Sequence, residues 1–261
     1  MARNQLNVRE RGKGKGSGVP LVLVHGFPFD SNMWEKQLDG LGDEMWVVAP
    51  DMPGMGQSEA LALDREAGMD DYAGAIADWA GSRGIDKIML AGHSMGGYIA
   101  FAFARRHPEM IDKLILVATR PGADAEAAKE GRYKMAAGVE EKGAVVAADA
   151  MLPKLFAPST YEDNKDLVES IRALMLKQQK RGVIDSLHAM AGRPDSSPDM
   201  ARIKVPTLII SGAQDAIIPA AEADNMHTGI AGSRHSVVQD GGHLLMLEDA
   251  RAFNAALREF I

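Results

Sequence analysis

Six short apolar runs, each closed by turn residues, constrain this chain more than any other feature. They are VPLVLVHG (19–26), MWVVAPD (45–51), KIMLAGHS (87–94), KLILVATR (113–120), PTLIISGAQD (206–215) and SVVQDGGH (236–243). Runs that are apolar on both faces and separated by helical spacing predict buried parallel strands in a doubly wound α/β sheet. Helices are predicted over 31–41, 70–82, 95–107, 220–230 and 248–260, where small or apolar residues recur at helical intervals. The beat stops between Pro121 and Pro198, where the chain keeps helical composition and shows no strand. A stretch of about eighty residues is too long for a loop, so it is expected to form a helical subdomain. It leaves and re-enters the sheet between two strands. It should therefore roof the carboxyl ends of the strands, where open α/β sheets bind ligands.

Composition narrows the chemistry. The 261 residues contain no cysteine, which removes disulfides, thiolate catalysis and cysteine-ligated zinc and fits a reducing compartment. A net charge of −7 repels phosphate backbones, so nucleic acid is not expected as a partner. The one basic stretch, RERGKGKGSG (9–18), precedes a strand instead of a helix N-terminus. It reads as a solvated hairpin loop between two strands and not as a phosphate cradle. No run reaches the roughly 18 apolar residues of a membrane span, and residues 1–18 hold no apolar leader. The expectation is a cytoplasmic protein without a membrane partner.

The chemistry is expected at the strand ends. Gly92, His93, Ser94, Met95 and Gly96 form G-x-S-x-G with a strand before it and a helix after it. That context turns the serine sharply outward and leaves the Met95 N–H free as an oxyanion donor. A serine needs a histidine base and a carboxylate to orient it, in the chain order Ser, acid, His. His107, His188, His227, His235 and His243 lie downstream. Only His243 follows the last strand at its carboxyl end. His235 belongs at that strand's amino end, His107 caps the helix before Pro108, and His227 follows a surface helix. Asp215 ends the penultimate strand on the same side and is the expected acid, with Asp124 as the second choice. Asp195 and Asp199 precede that strand in a Pro/Ser-rich link. The second oxyanion donor is expected to be the Phe27 N–H, because Gly26 permits the turn and Pro28 has no N–H to offer. His25 is expected to orient this loop.

Together HGFPFDSNMW (25–34), DMPGMGQS (51–58), GHSMGG (92–97), SGAQD (211–215) and GGH (241–243) resemble the α/β-hydrolase family, and the resemblance covers nearly the whole chain outside the insertion. It implies Ser94 as nucleophile, His243 as base, Asp215 as acid, and Phe27 and Met95 as oxyanion donors, with no cofactor and no metal. Some members place the acid at the position of Asp124. Asp51 and Ser58 read as turn formers. The implied architecture is a core of residues 1–120 and 199–261 with a helical cap, 121–198, inserted between the sixth and seventh strands. The cap looks like the four-helix cap of small esterases, enol-lactonases and cofactor-free haloperoxidases. Met135, Met151, Leu152, Leu155, Phe156, Leu174, Met175, His188 and Met190 are its candidate pocket residues. Of these Met151, Leu155, Phe156 and His188, with Pro28, are the chosen substrate contacts. Pro28 also resembles the HGFP of haloperoxidases and perhydrolases, which implies perhydrolysis as a side activity. The expected reaction is cleavage of carboxylic esters of short to medium acyl chains. The alternatives are a lactonase for acyl-homoserine lactones or enol-lactones, and a ligand-binding signalling protein of the same fold.

Overall fold

A computed structural model describes residues 6–12 and 18–261. Seven strands form one sheet: β1 Val8–Arg11, β2 Leu21–Val24, β3 Val47–Pro50, β4 Ile88–His93, β5 Ile111–Val117, β6 Thr207–Gly212 and β7 Arg234–Val238. Their spatial order is β1-β3-β2-β4-β5-β6-β7. β1 runs antiparallel to β3 and every other pairing is parallel. All six predicted runs are strands. β1 was not among them because VRER buries little: three half-buried residues and one exposed one give no apolar signal. Of the stretch 9–18 expected as a hairpin loop, residues 9–11 belong to β1, which pairs with β3 and not with β2; residues 13–17 fall outside the described part.

Alternate residues of the parallel strands face opposite layers, as the two-residue period requires. Val22, Val24, Val48, Leu90, Leu114 and Leu116 pack into one core, while Leu21, Leu23, Val47, Ala91, Ile115 and Val117 pack into the other. Helices α2 Met69–Ser82 and α3 Met95–Arg106 cover the first face, and α1 Glu35–Leu41 covers the second. α3 stops where expected, with the His107 N–H bonded to the Phe103 carbonyl ahead of Pro108.

The insertion carries five helices: α4 Glu126–Lys142, α5 Val145–Met151, α6 Pro158–Asp163, α7 Lys165–Leu176 and α8 Lys180–Ala191. It joins β5 to β6. Among the described residues it therefore lies between the fifth and sixth strands and not the sixth and seventh, because a single antiparallel strand, β1, is described before Leu21. The remaining helices are α9 Ala220–Gly229, α10 Leu245–Glu248 and α11 Ala250–Phe260, the last on the α1 face. The cap meets the core at loops beyond the carboxyl ends of strands. Gln178 accepts from the Gly56 N–H at 3.0 Å and donates to Asp30 at 2.9 Å, and the Leu155 carbonyl accepts from the Leu244 N–H at 3.0 Å.

The passage from β4 to α3 leaves no room for side chains at its glycines. A Cβ on Gly92 would stand 2.2 Å from the Gly96 carbonyl oxygen, and one on Gly96 would stand 2.3 Å from the Val24 carbonyl oxygen. Gly96→Ala is therefore expected to destabilise the protein by about 1–3 kcal/mol. Gly74→Ala, at a helical position in α2 with nothing within 4 Å, is expected to stabilise it by about 0.5–1 kcal/mol. Urea titrations of the two variants check both signs.

Candidate active site

Ser94 sits between β4 and α3 with φ 53° and ψ −113°, a conformation that only a tightly held turn imposes on a residue with a Cβ. Its N–H donates to the Val117 carbonyl at 2.9 Å, and its own carbonyl accepts from the Gly97 N–H at 2.9 Å and the Thr119 hydroxyl at 2.8 Å. The turn is thus fixed from β5 as well as from α3, and the side chain is left to point outward.

His243 meets this hydroxyl. Its Nε2 lies 3.0 Å from Ser94 Oγ, and its Nδ1 lies 2.8 Å from Asp215 Oδ2. A carboxylate only accepts, so Nδ1 carries the proton and Nε2 is free to receive one. The other Asp215 oxygen accepts from the N–H groups of Ile217 at 2.7 Å and Ile218 at 3.0 Å. Burial alone would raise the Asp215 pKa. The His243 charge and hydrogen bond and the Ile218 and Ile217 N–H groups outweigh it and hold the carboxyl below its ordinary value. The pair is closed to solvent, with both side chains 2% exposed.

The loop after β2 lies against the serine. A Cβ on Gly26 would be 3.2 Å from Ser94 Cβ. Among the described residues, the Phe27 and Met95 N–H groups have no acceptor within the protein. Met95 is also the first residue of α3, where the helix dipole favours negative charge. His25 orients this loop as expected: its Nδ1 donates to the Gly26 carbonyl at 2.9 Å and its Nε2 accepts from the Met52 N–H at 2.9 Å. Burial lowers its pKa and keeps it neutral. Asp51 ties the neighbouring turns through the N–H groups of Ser31 and Gln57 and the Asn7 amide, and its carbonyl accepts from Ser58.

Four sequence candidates fall elsewhere. His235 lies within β7 with Nε2 2.8 Å from the Ser211 hydroxyl, and His227 is bonded to Ser233 at 3.0 Å. Asp124, the second-choice acid, is taken up by three guanidinium groups. Arg120 and Arg193 each donate to it at 2.8 Å, and Arg132 closes the set. Burial alone would raise its pKa, but Arg132 and Arg193 outweigh it and hold the carboxyl far below the usual range. His188 turns toward the outer junction of cap and core, with Nδ1 3.1 Å from the Glu66 carboxylate and its ring 5.4 Å from Tyr133. By contrast Leu155 and Phe156 are buried beside the His243 loop, where a Cβ on Gly242 would meet Phe156 Cα at 3.0 Å. Met151, half-buried, packs against both cores, and Pro28 is buried next to Phe27.

Two side chains at the site escaped the sequence reading. His93 is fully buried, and its Nε2 donates to the His243 carbonyl at 2.9 Å. Burial, followed by the nearby His243 charge, pushes its pKa down to about 3, so the ring is neutral. Glu248, at the end of α10, accepts from the Gly242 N–H at 2.7 Å. The signals for both were weak: a histidine inside the elbow, and one carboxylate at the end of the apolar run LLMLE.

Comparison with known proteins identifies the family of this fold. The sequence profile of the alpha/beta hydrolase fold matches residues 19–250. A thermophilic esterase from Thermogutta terrifontis superposes with a TM-score of 0.92 at 37% identity, covering 97% of this chain and 92% of that one. The enol-lactonase from Burkholderia xenovorans follows with a TM-score of 0.89 at 27% identity, covering 98% and 95%. A dihydrolipoyllysine-residue acetyltransferase component of the acetoin cleaving system from Cupriavidus necator is 31% identical over 97% of this chain and 67% of its own length. This chain belongs to the alpha/beta hydrolase fold family. Among the described residues no helix is long and apolar enough to cross a membrane.

The Asp124 cluster gives a test of its own. Its lowered pKa means that it adds stability above the ordinary carboxylate pKa of about 3.9, and that this contribution is lost as the pH falls toward the folded-state value. Removing the charge leaves Arg193, whose side chain is 3% exposed, without its counter-ion. Asp124→Asn is expected to lose about 3–5 kcal/mol at neutral pH. The deficit should shrink on acidification below about pH 4, as followed by urea midpoints across pH.

Proposed function

We propose that this protein is a serine hydrolase of carboxylic esters that works through an acyl-enzyme on Ser94. The observation that carries the reading is the unbroken line from Ser94 Oγ through His243 to Asp215, at 3.0 and 2.8 Å. Ser94 Oγ attacks the ester carbonyl carbon while His243 Nε2 takes its proton. Asp215 stabilises the imidazolium and holds the tautomer that makes Nε2 the base. The carbonyl oxygen, now negative, is held by the N–H groups of Phe27 and Met95. The C–O bond to the alcohol breaks as His243 returns the proton to it. Water, deprotonated by His243, then attacks the acyl-enzyme and releases the acid and Ser94. The cycle needs no metal or organic cofactor.

Residues 121–198 serve as the cap over residues 1–120 and 199–261, and Met151, Leu155 and Phe156 bound the acyl side. Apolar walls with an adaptable methionine suit short to medium chains. Similarity to the T. terrifontis esterase at 37% identity supports the ester reading. Similarity to an enol-lactonase at 27% identity favours a lactone as the second substrate class, since a cyclic ester uses the same atoms. Pro28 beside Phe27 suits perhydrolysis as a side reaction.

Hydrolysis of p-nitrophenyl esters from acetate to palmitate is expected to be fastest for the short and middle members. Ser94→Ala should reduce kcat on the order of 10⁴-fold or more, with the folded state intact. Asp215→Asn should approach the same loss, on the order of 10⁴-fold, through the wrong imidazole tautomer. Near-native turnover by folded Ser94→Ala would refute the mechanism. Parallel assays with acyl-homoserine lactone and enol-lactone substrates rank the two substrate classes.

A further inference from the structure

Three consecutive backbone positions flank and include His243, and each is held by a different part of the molecule. The Gly242 N–H donates to Glu248 Oε2 at 2.7 Å, the His243 carbonyl accepts from His93 Nε2 at 2.9 Å, and the Leu244 N–H donates to the Leu155 carbonyl at 3.0 Å. Two glycines, Gly241 and Gly242, precede the histidine, so the loop has no intrinsic stiffness to fix the ring 3.0 Å from Ser94.

Glu248 does more than accept from Gly242. Its second oxygen, Oε1, accepts from the Ala157 N–H at 2.7 Å and from the Thr160 hydroxyl at 2.8 Å, both in the cap. One carboxylate thus spans the catalytic loop and the start of α6. We propose that Glu248 is a positioning residue that fixes His243 by clamping Gly242 to the cap segment 157–160. The proposal rests on His243 acting as the base for Ser94.

The chemistry favours a carboxylate at this position. Two oxygens must accept three hydrogen bonds and donate none, which a glutamate does and a glutamine cannot do. Burial raises the Glu248 pKa and the three donors offset that only in part, so the group is maintained against a desolvation cost. A purely structural link between cap and core would need only Oε1. Oε2 is directed instead at the residue before the base.

Glu248→Gln separates the two roles. Its amide oxygen can keep the Ala157 and Thr160 bonds, while its NH₂ group can no longer accept from Gly242. The test compares wild type, Glu248→Gln and Glu248→Ala in kcat and KM for p-nitrophenyl butyrate. Thermal midpoints and the proton resonance of His243 Nδ1–H are read on the same samples. Labelling of Ser94 by a fluorophosphonate probe is measured first.

Glu248→Gln is expected to lose about 10- to 100-fold in kcat, as sub-ångström misplacement of a base does. KM and the thermal midpoint should stay near wild type, and the Nδ1–H resonance should shift or broaden. Glu248→Ala should lose at least as much in kcat. Wild-type kcat and an unmoved resonance in folded Glu248→Gln would overturn the proposal, leaving Glu248 as a cap fastener. Absence of any Ser94 adduct in the wild type would instead strike at the serine hydrolase reading. The resonance still reports whether Glu248 positions the ring in that case.

Discussion

The close approach of three backbones at the β4–α3 turn is the constraint from which the rest of the site follows. The Gly96 position lies against the Val24 carbonyl, and the Gly92 position lies against the Gly96 carbonyl, with no room for a side chain at either. A chain passing through that gap has to reverse within one residue, and the residue that does so is Ser94 at φ 53°. The strain is retained because hydrogen bonds from β5 and α3 over-determine the turn. The same gap brings the end of β2 beside the serine, so Gly26 and the Phe27 amide arrive there without further design.

Three histidines around this turn and one far from it show how environment divides one side chain into separate tasks. His25 and His93 are completely buried, and burial keeps them neutral, each with a ring nitrogen donating to a main-chain carbonyl. His243 faces a carboxylate on one side and a hydroxyl on the other. His188 reaches neither the serine nor its carboxylate partner and pairs with Glu66 at the outer junction. Residue type alone does not separate these roles; what each ring nitrogen faces does.

Strand order along the chain was legible because parallel strands buried on both faces have to be apolar at every position. Ser94, Asp215 and His243 could be placed from the rule that each follows the carboxyl end of a strand. β1 was not legible, since an edge strand reading VRER exposes as much as it hides. The fate of Asp124 was equally hidden. Arg120, Arg132 and Arg193 are scattered over more than seventy residues, and only the fold brings them to one carboxylate. His188 was misjudged as a pocket residue because its helix has buried positions on more than one side, and the period cannot say which of them faces the serine. Glu248 carried no visible signal beyond its setting in an apolar run, because its partners Gly242, Ala157 and Thr160 are remote or unremarkable in sequence.

The Asp124 cluster binds both ends of the cap to one point. Arg120 lies where the chain leaves β5, Arg132 lies on α4, and Arg193 lies just past α8, where the chain turns back toward the sheet. Arg193 also donates to the Gly122 carbonyl at 2.9 Å and stacks 3.9 Å above the Tyr98 ring of α3. The departing and returning segments are therefore a single ionic joint and not two independent tethers. A cap transplanted between relatives with junctions after Thr119 and before Ser197 would travel with its own counter-ions. Junctions placed a few residues inward would split the joint and strand guanidinium groups in the recipient. The boundary that matters for recombination is thus drawn by charge balance, not by where the helices begin.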